Sequence, residues 1–226
     1  MKFKIAFTIP VLFLLLAFQN LRAQLPEGFV YAEDWVGSLI VELRYFGTDN
    51  FVGRPIEGYR KNTLIISKPT AMALSKVQDE LINNGYCLKV FDGYRPQQAV
   101  NYFVKWAKDL DDTINKKVYY PKVLKRRLFA EGYIASKSGH SRGSTLDLTI
   151  VDAQTGEELD MGSPYDFFGE ISWVNDASLS LEQKANRTLL QKVMAKHGFR
   201  NYPKEWWHFT LRGEPFPSTY FNFPIE

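Results

Sequence analysis

Only three histidines occur in the 226 residues, and two of them sit in short segments crowded with other polar chemistry. One segment reads Ser138-Gly139-His140-Ser141-Arg142-Gly143-Ser144-Thr145-Leu146-Asp147, the other Glu205-Trp206-Trp207-His208. Each histidine has a carboxylate at short range. Two neutral imidazoles and one carboxylate form a three-ligand zinc set with an open fourth position. A fold that uses His140, Asp147 and His208 in this way must carry distant stretches of chain to one point. Glu205 is then left over to act as a base.

Local chemistry supports that reading. Gly139 and Gly143 let the backbone curl, so that a loop histidine faces a strand aspartate. Asp147 stands between Leu146 and Leu148, and a carboxylate buried unpaired among core residues costs several kcal/mol. Zinc would be its partner, although a plain histidine–aspartate hydrogen bond is the commoner use of such a pair. Glu205 and His208 would point to opposite faces of a regular strand. Pro203 and the two tryptophans argue against a helix there. We therefore expect Glu205 in an irregular turn and His208 on the strand proper, with Trp206 and Trp207 as packing residues. The spacing is not that of the H-E-x-x-H zinc helix. Arg95 falls between a strand and a helix, where a cation aimed at a carbonyl oxygen would stabilise an oxyanion. A solvated loop arginine is the alternative. His197 suits a helix C-terminus, and Cys87 a small buried strand position.

Residues 1–23 read separately from the rest. Lys2 and Lys4 precede an apolar run from Ile5 to Phe18, and Leu21-Arg22-Ala23 offers a small residue before Gln24. That is the form of a secretory signal peptide, and the run is short for a membrane span of about 20 residues. An uncleaved anchor is the lesser alternative. Residues 24–226 are then the catalytic domain, in a periplasmic or secreted setting. Losing Lys2, Lys4 and Arg22 reduces 28 basic residues to 25, equal to the 25 acidic ones. The basic balance thus belongs to the targeting segment and gives no ground for nucleic-acid binding. With one cysteine, an exported domain has no intrachain disulfide and relies on its core and its metal.

The rest of the pattern is 45% hydrophobic and 23% charged, as in a globular chain. It predicts strands over 36–44, 86–91, 145–151 and near 208–211. Helices are expected from Pro69 to Gly85, from Pro96 through Ala107, from Pro121 to about Ala130, and from a Ser180/Gln183 capping box to Gly198. Without a regular βαβ beat, this is α+β. The expected architecture is a mostly antiparallel central sheet flanked by helices, with the zinc site in a cleft on the sheet.

Taken together, the two histidine segments and Asp92-Gly93-Tyr94-Arg95-Pro96 resemble the D-alanyl-D-alanine dipeptidases of the vancomycin-resistance type, within the zinc D-Ala-D-Ala peptidases. The resemblance runs from about Val41 to Pro224. It includes Arg44-Tyr45, Asp49-Asn50-Phe51, Gly132 to Lys137, Met161-Gly162-Ser163 and Tyr220 to Pro224. It implies one zinc ion on His140, Asp147 and His208, Glu205 as base and proton shuttle, and Arg95 as transition-state stabiliser. Asp166 would meet the substrate ammonium, and Ser138 and Tyr45 would line the pocket. The implied substrate is a small dipeptide, D-Ala-D-Ala. Longer wall peptides cleaved by a carboxypeptidase or endopeptidase, or a silent zinc-containing wall-peptide binder, are the alternatives. Gly139 departs from the serine frequent in the family. An export signal departs from its cytoplasmic members and favours scavenging of wall-derived dipeptide.

Overall fold

A computed structural model describes residues 23–226; the signal segment expected over 1–23 lies outside them but for Ala23. Seven strands and four helices follow one another as β1 (Phe29–Tyr31), β2 (Ile40–Val41), β3 (Ile65–Ser67), α1 (Lys68–Ile82), β4 (Tyr86–Asp92), α2 (Gln97–Lys108), α3 (Lys116–Tyr119), β5 (Thr145–Asp152), α4 (Leu181–Lys196), β6 (Phe199–Tyr202) and β7 (Glu205–Leu211). The main sheet runs β2-β4-β5-β7-β6, and β1 pairs with β3 in a separate ribbon. Every pairing is antiparallel except that of β2 with β4. The α+β class with a mostly antiparallel sheet is therefore what the chain adopts. Among the described residues, no helix is long and apolar enough to cross a membrane.

β5 is central, and its alternation creates the two faces on which everything else is built. Leu146, Leu148 and Ile150 are fully buried and join the main apolar core. Thr145, Asp147 and Thr149 point the other way, as strand geometry requires, and are buried as well. The polar face is thus internal, and its groups need partners inside the protein. Thr145 finds one across the ladder in Thr210, at 2.9 Å.

The helices follow their local signals. Ser180 Oγ accepts from the Gln183 N–H while the Gln183 side chain accepts from the Ser180 N–H, so the expected capping box opens α4. Pro96 occupies the N-cap of α2, one residue before the position expected of it. Two expectations fail. The strand over 36–44 shrinks to Ile40–Val41, because Ser38 takes a left-handed φ of 56° that breaks extended backbone. The basic helix over 121–130 is absent, and only Lys125–Arg127 makes a tight turn. There Val123, Lys125 and Leu128 are buried while Leu124 and Phe129 are exposed, a pattern no single helix face produces. Lys125 is turned inward over the Trp106 ring, where it donates to the Asp112 carbonyl.

The loop that carries His140 is fixed by the glycine that ends it. Gly143 has φ of 80°, and a Cβ there would lie 2.3 Å from the Phe29 ring. Gly143→Ala is therefore expected to combine backbone strain with overpacking and to cost about 2–4 kcal/mol. A urea denaturation midpoint indistinguishable from wild type would show that this loop is not held as described.

Candidate metal and catalytic site

Asp147 and His208 are direct cross-strand partners in the β5–β7 ladder, which puts both side chains on the polar face. His140 reaches the same point from a single 3-10 turn, Gly139–Arg142, capped by Ser138, whose Oγ accepts from the His140 N–H. One side-chain and one backbone bond brace that turn against the β4–α2 loop. His140 Nδ1 donates to the Gly93 carbonyl at 2.8 Å, and the Arg95 N–H donates to the His140 carbonyl at 3.3 Å. A Cβ on Gly93 would collide with Leu64 at 2.3 Å, so glycine is what lets this loop approach. On Gly139 it would lie 2.9 Å from Thr145 Oγ1, so the departure to glycine at this position relieves a tight contact.

The three donors fit one ion. His140 Nε2 lies 3.3 Å from His208 Nδ1 and 3.3 Å from the Asp147 carboxylate, and His208 Nδ1 lies 3.0 Å from that carboxylate. Ligands about 2.0–2.1 Å from a tetrahedral zinc stand roughly 3.3 Å from each other. The bond from Nδ1 to Gly93 leaves the Nε2 lone pair of His140 free to ligate, the usual outer support of a metal-binding imidazole. Asp147 Oδ2 accepts from the Tyr165 hydroxyl at 3.1 Å. Its Oδ1 is buried and makes no hydrogen bond among the described residues, although His208 Nδ1 is close. A buried carboxylate oxygen left without a hydrogen bond beside an imidazole nitrogen is what a shared cation would explain. Electrostatics point the same way. Burial opposes ionisation of Asp147, yet the adjacent imidazoles of His140 and His208 hold it far below the carboxylate range. Burial likewise disfavours imidazolium at His208, but Asp147 outweighs this and raises it. The pocket therefore favours positive charge at its centre.

Glu205 and Arg95 flank this centre. Glu205 Oε2 is 3.4 Å from His208 Nδ1, and burial pushes its carboxyl up, with His208 opposing. The expected turn position for Glu205 is corrected, since it is the first residue of β7. The irregularity lies just beyond. Tyr202 pairs with Glu205 but Asn201 with Phe209, so residues 206–208 form an outsize bulge in the β6–β7 ladder. That bulge lets two side chains of odd spacing serve one cleft. Trp206 and Trp207 are buried packing residues, as expected. Arg95 is mostly buried, with its guanidinium over the Tyr45 and Phe103 rings and Nη2 3.5 Å from Asp147 Oδ2.

The cleft, about 360 Å³, is lined by all eight residues singled out from the sequence: Tyr45, Arg95, Ser138, His140, Asp147, Asp166, Glu205 and His208. It is at the small end for a ligand pocket. Asp166 is buried with a left-handed φ of 58°, and Tyr45 donates its hydroxyl to Oδ2 at 2.6 Å. Burial pushes this carboxyl well up, with the tyrosine bond opposing. Arg187 of α4, itself buried, clamps the segment that carries Asp166 through the carbonyls of Met161, Ile171 and Trp173. The sequence alone gives no role to Asp92, Tyr165 or Arg187. Asp92 lies in the same motif as Arg95 and Tyr165 is next to Asp166, while Arg187 carries no such signal.

Comparison with known proteins agrees with the geometry. The family model described as peptidase M15, D-ala-D-ala dipeptidase, matches residues 27–226. The chain is 40% identical over 200 residues to a D-alanyl-D-alanine dipeptidase of Enterococcus faecalis, covering 88% of this chain and 99% of the relative. Likeness to the dipeptidase of Streptomyces coelicolor is 39% over 197 residues, covering 87% and 98%. The Escherichia coli dipeptidase is 32% identical over 173 residues, covering 76% and 79%.

If these donors hold an ion, removing it should loosen the fold. At an ion concentration about 100 times Kd the bound state gains about 2.7 kcal/mol. For a domain of this size that corresponds to a fall in Tm of roughly 5–10 °C on chelation. Differential scanning calorimetry should show the fall, its reversal by Zn2+, and its absence in His208→Ala. Equal melting with and without chelator would separate the three donors from any metal role.

Proposed function

The chain belongs to the D-Ala-D-Ala dipeptidase family of peptidases, and we propose that its cleft hydrolyses the free dipeptide D-Ala-D-Ala to two molecules of D-alanine. One observation carries the reading: Glu205, Arg95 and Asp166 line the same small cleft as the His140–Asp147–His208 donor set. A zinc ion held by that set would supply Lewis-acid polarisation of the scissile carbonyl and acidify the attacking water. Glu205 takes the proton from the water and passes it to the leaving amine, a task suited to a carboxylate whose burial strengthens it as a base. Arg95 donates to the oxygen on which negative charge develops. Asp166 meets the substrate ammonium, and Ser138 with nearby N–H groups receives the carboxylate. Tyr45 holds Asp166 in place from behind.

Asp166 is what favours a free dipeptide. A carboxyl this buried gains a charged partner from an ammonium and none from an acylated nitrogen. A second reading, cleavage of longer wall peptides, draws on another cavity of about 810 Å³ that shares Tyr133, Phe168, Tyr202 and Glu205 with the cleft. The basic, apolar and small-residue order of 1–23 supports export. In that compartment the dipeptide would come from cell-wall turnover, and the enzyme would serve scavenging.

Two measurements test this. With zinc-loaded protein, D-Ala-D-Ala should be hydrolysed far faster than its N-acetyl form or an LL dipeptide. Preference for the acetylated peptide would transfer the function to the longer substrates. Glu205→Ala should retain zinc while losing turnover by at least about 10²-fold; near-normal turnover would remove Glu205 from the chemistry.

A further inference from the structure

We propose that Asp92 is the positioning residue that makes Arg95 an oxyanion donor, an inference that rests on the hydrolytic reading above. Asp92 ends β4 and is wholly buried. A register shift at Phe91 sets it opposite Asp147, so Asp92, Asp147 and His208 form one row across β4, β5 and β7. The shift matters, because regular pairing from Val90 onward would have placed Phe91 in that row.

Asp92 meets Arg95 edge-on. Its Oδ2 accepts from Nε and lies equally close to Nη2, both at 2.8 Å. Its Oδ1 accepts from the Tyr59 hydroxyl at 2.7 Å, which stops the carboxylate from rotating. Two aromatic rings, Tyr45 and Phe103, lie against the guanidinium at 5.0 and 5.5 Å. With one edge bonded and its position over the rings fixed, the guanidinium has a set orientation. The Nη1 side takes no part in these contacts among the described residues, and it remains for the cleft that Arg95 lines. Nη2 reaches Asp147 at only 3.5 Å, which adds little.

Asp92 makes no hydrogen bond to the proposed metal ligands. His140 Nδ1 is 3.6 Å from Asp92 Oδ2, too long for a hydrogen bond, and gives its proton to Gly93 instead. A buried counter-ion with no further task would also neutralise Arg95. The two roles part in one respect: positioning is felt only through Arg95.

A double-mutant cycle on the zinc-loaded enzyme with D-Ala-D-Ala separates them. Asp92→Asn keeps the size, still offers an oxygen to Arg95, and can donate its amide to the Tyr59 oxygen. We expect full zinc content, an unchanged far-UV spectrum, little change in KM, and kcat lower by roughly 10–100-fold. In an Arg95→Ala background the same change should cost nothing further. Wild-type kcat in Asp92→Asn beside a crippled Arg95→Ala would overturn this inference alone. So would a further tenfold loss in the combined variant. Wild-type turnover in Arg95→Ala would remove the oxyanion reading, and the inference with it. Should Asp92→Asn fail to fold, Tyr59→Phe enters the same cycle. Its smaller loss in kcat should vanish when Arg95 is absent, and persistence of that loss would count against positioning.

Discussion

Asp147 cannot leave the interior, because β5 is the middle strand of the sheet and Leu146 and Leu148 on either side of it are wholly buried. Its charge has to be met where it stands. The sheet meets part of it by cross-strand pairing, which delivers His208 with no choice of loop conformation. The remainder comes from a loop, and loops are placed only as well as they are tied. His140 is tied twice to the β4–α2 turn through its own carbonyl and its Nδ1. The C-terminal segment ties both loops again. Phe221 donates its N–H to Ser141 and accepts from Gln97, and the Phe223 carbonyl accepts from Tyr94, whose ring it stacks against. A tail remote in sequence therefore sets the precision of the donor triangle.

The parts of this arrangement that were legible in sequence are those with a local cause. A capping box, an apolar–polar alternation and a glycine after a histidine each act over a few residues, and α4, β5 and the His140 turn followed from them. The donor set was legible for a different reason: three histidines are few enough that two of them beside carboxylates stand out. What could not be read depends on register. The outsize bulge at 206–208 and the shift at Phe91 are properties of paired strands, and neither leaves a mark within its own segment. The sequence alone therefore puts Glu205 in a turn, whereas it begins a strand. The missing helix over 121–130 has the same origin, since the inward turn of Lys125 answers to Trp106 and Asp112 on other parts of the chain.

Four carboxylates, Asp92, Asp147, Asp166 and Glu205, lie in or against one small cleft, and chemically they are nearly identical. Their surroundings make them different. Asp147 has two imidazoles, so despite its burial it stays ionised, as the proposed metal site requires of it. Asp92 is raised by burial, but its guanidinium partner pulls the other way, and the pair spends its charges on each other. Glu205 is raised by burial, with His208 opposing, which is the direction that the proposed proton transfer calls for. Asp166, with a tyrosine hydroxyl as its nearest partner, is raised furthest from comfort and gains most from an arriving cation. On the proposed function, environments that separate like groups in this way leave base, ligand and anchor to be assigned by the fold rather than by residue type. The same reasoning accounts for the use of aromatic and tyrosyl neighbours around the site. Tyr45, Tyr59 and Tyr165 each donate one hydrogen bond to a different carboxylate, and so they fix three of the four, Asp166, Asp92 and Asp147, without adding charge. A lysine or arginine in place of Tyr45 or Tyr165 would pair with the carboxylate it touched and erase the distinction on which the proposed chemistry depends.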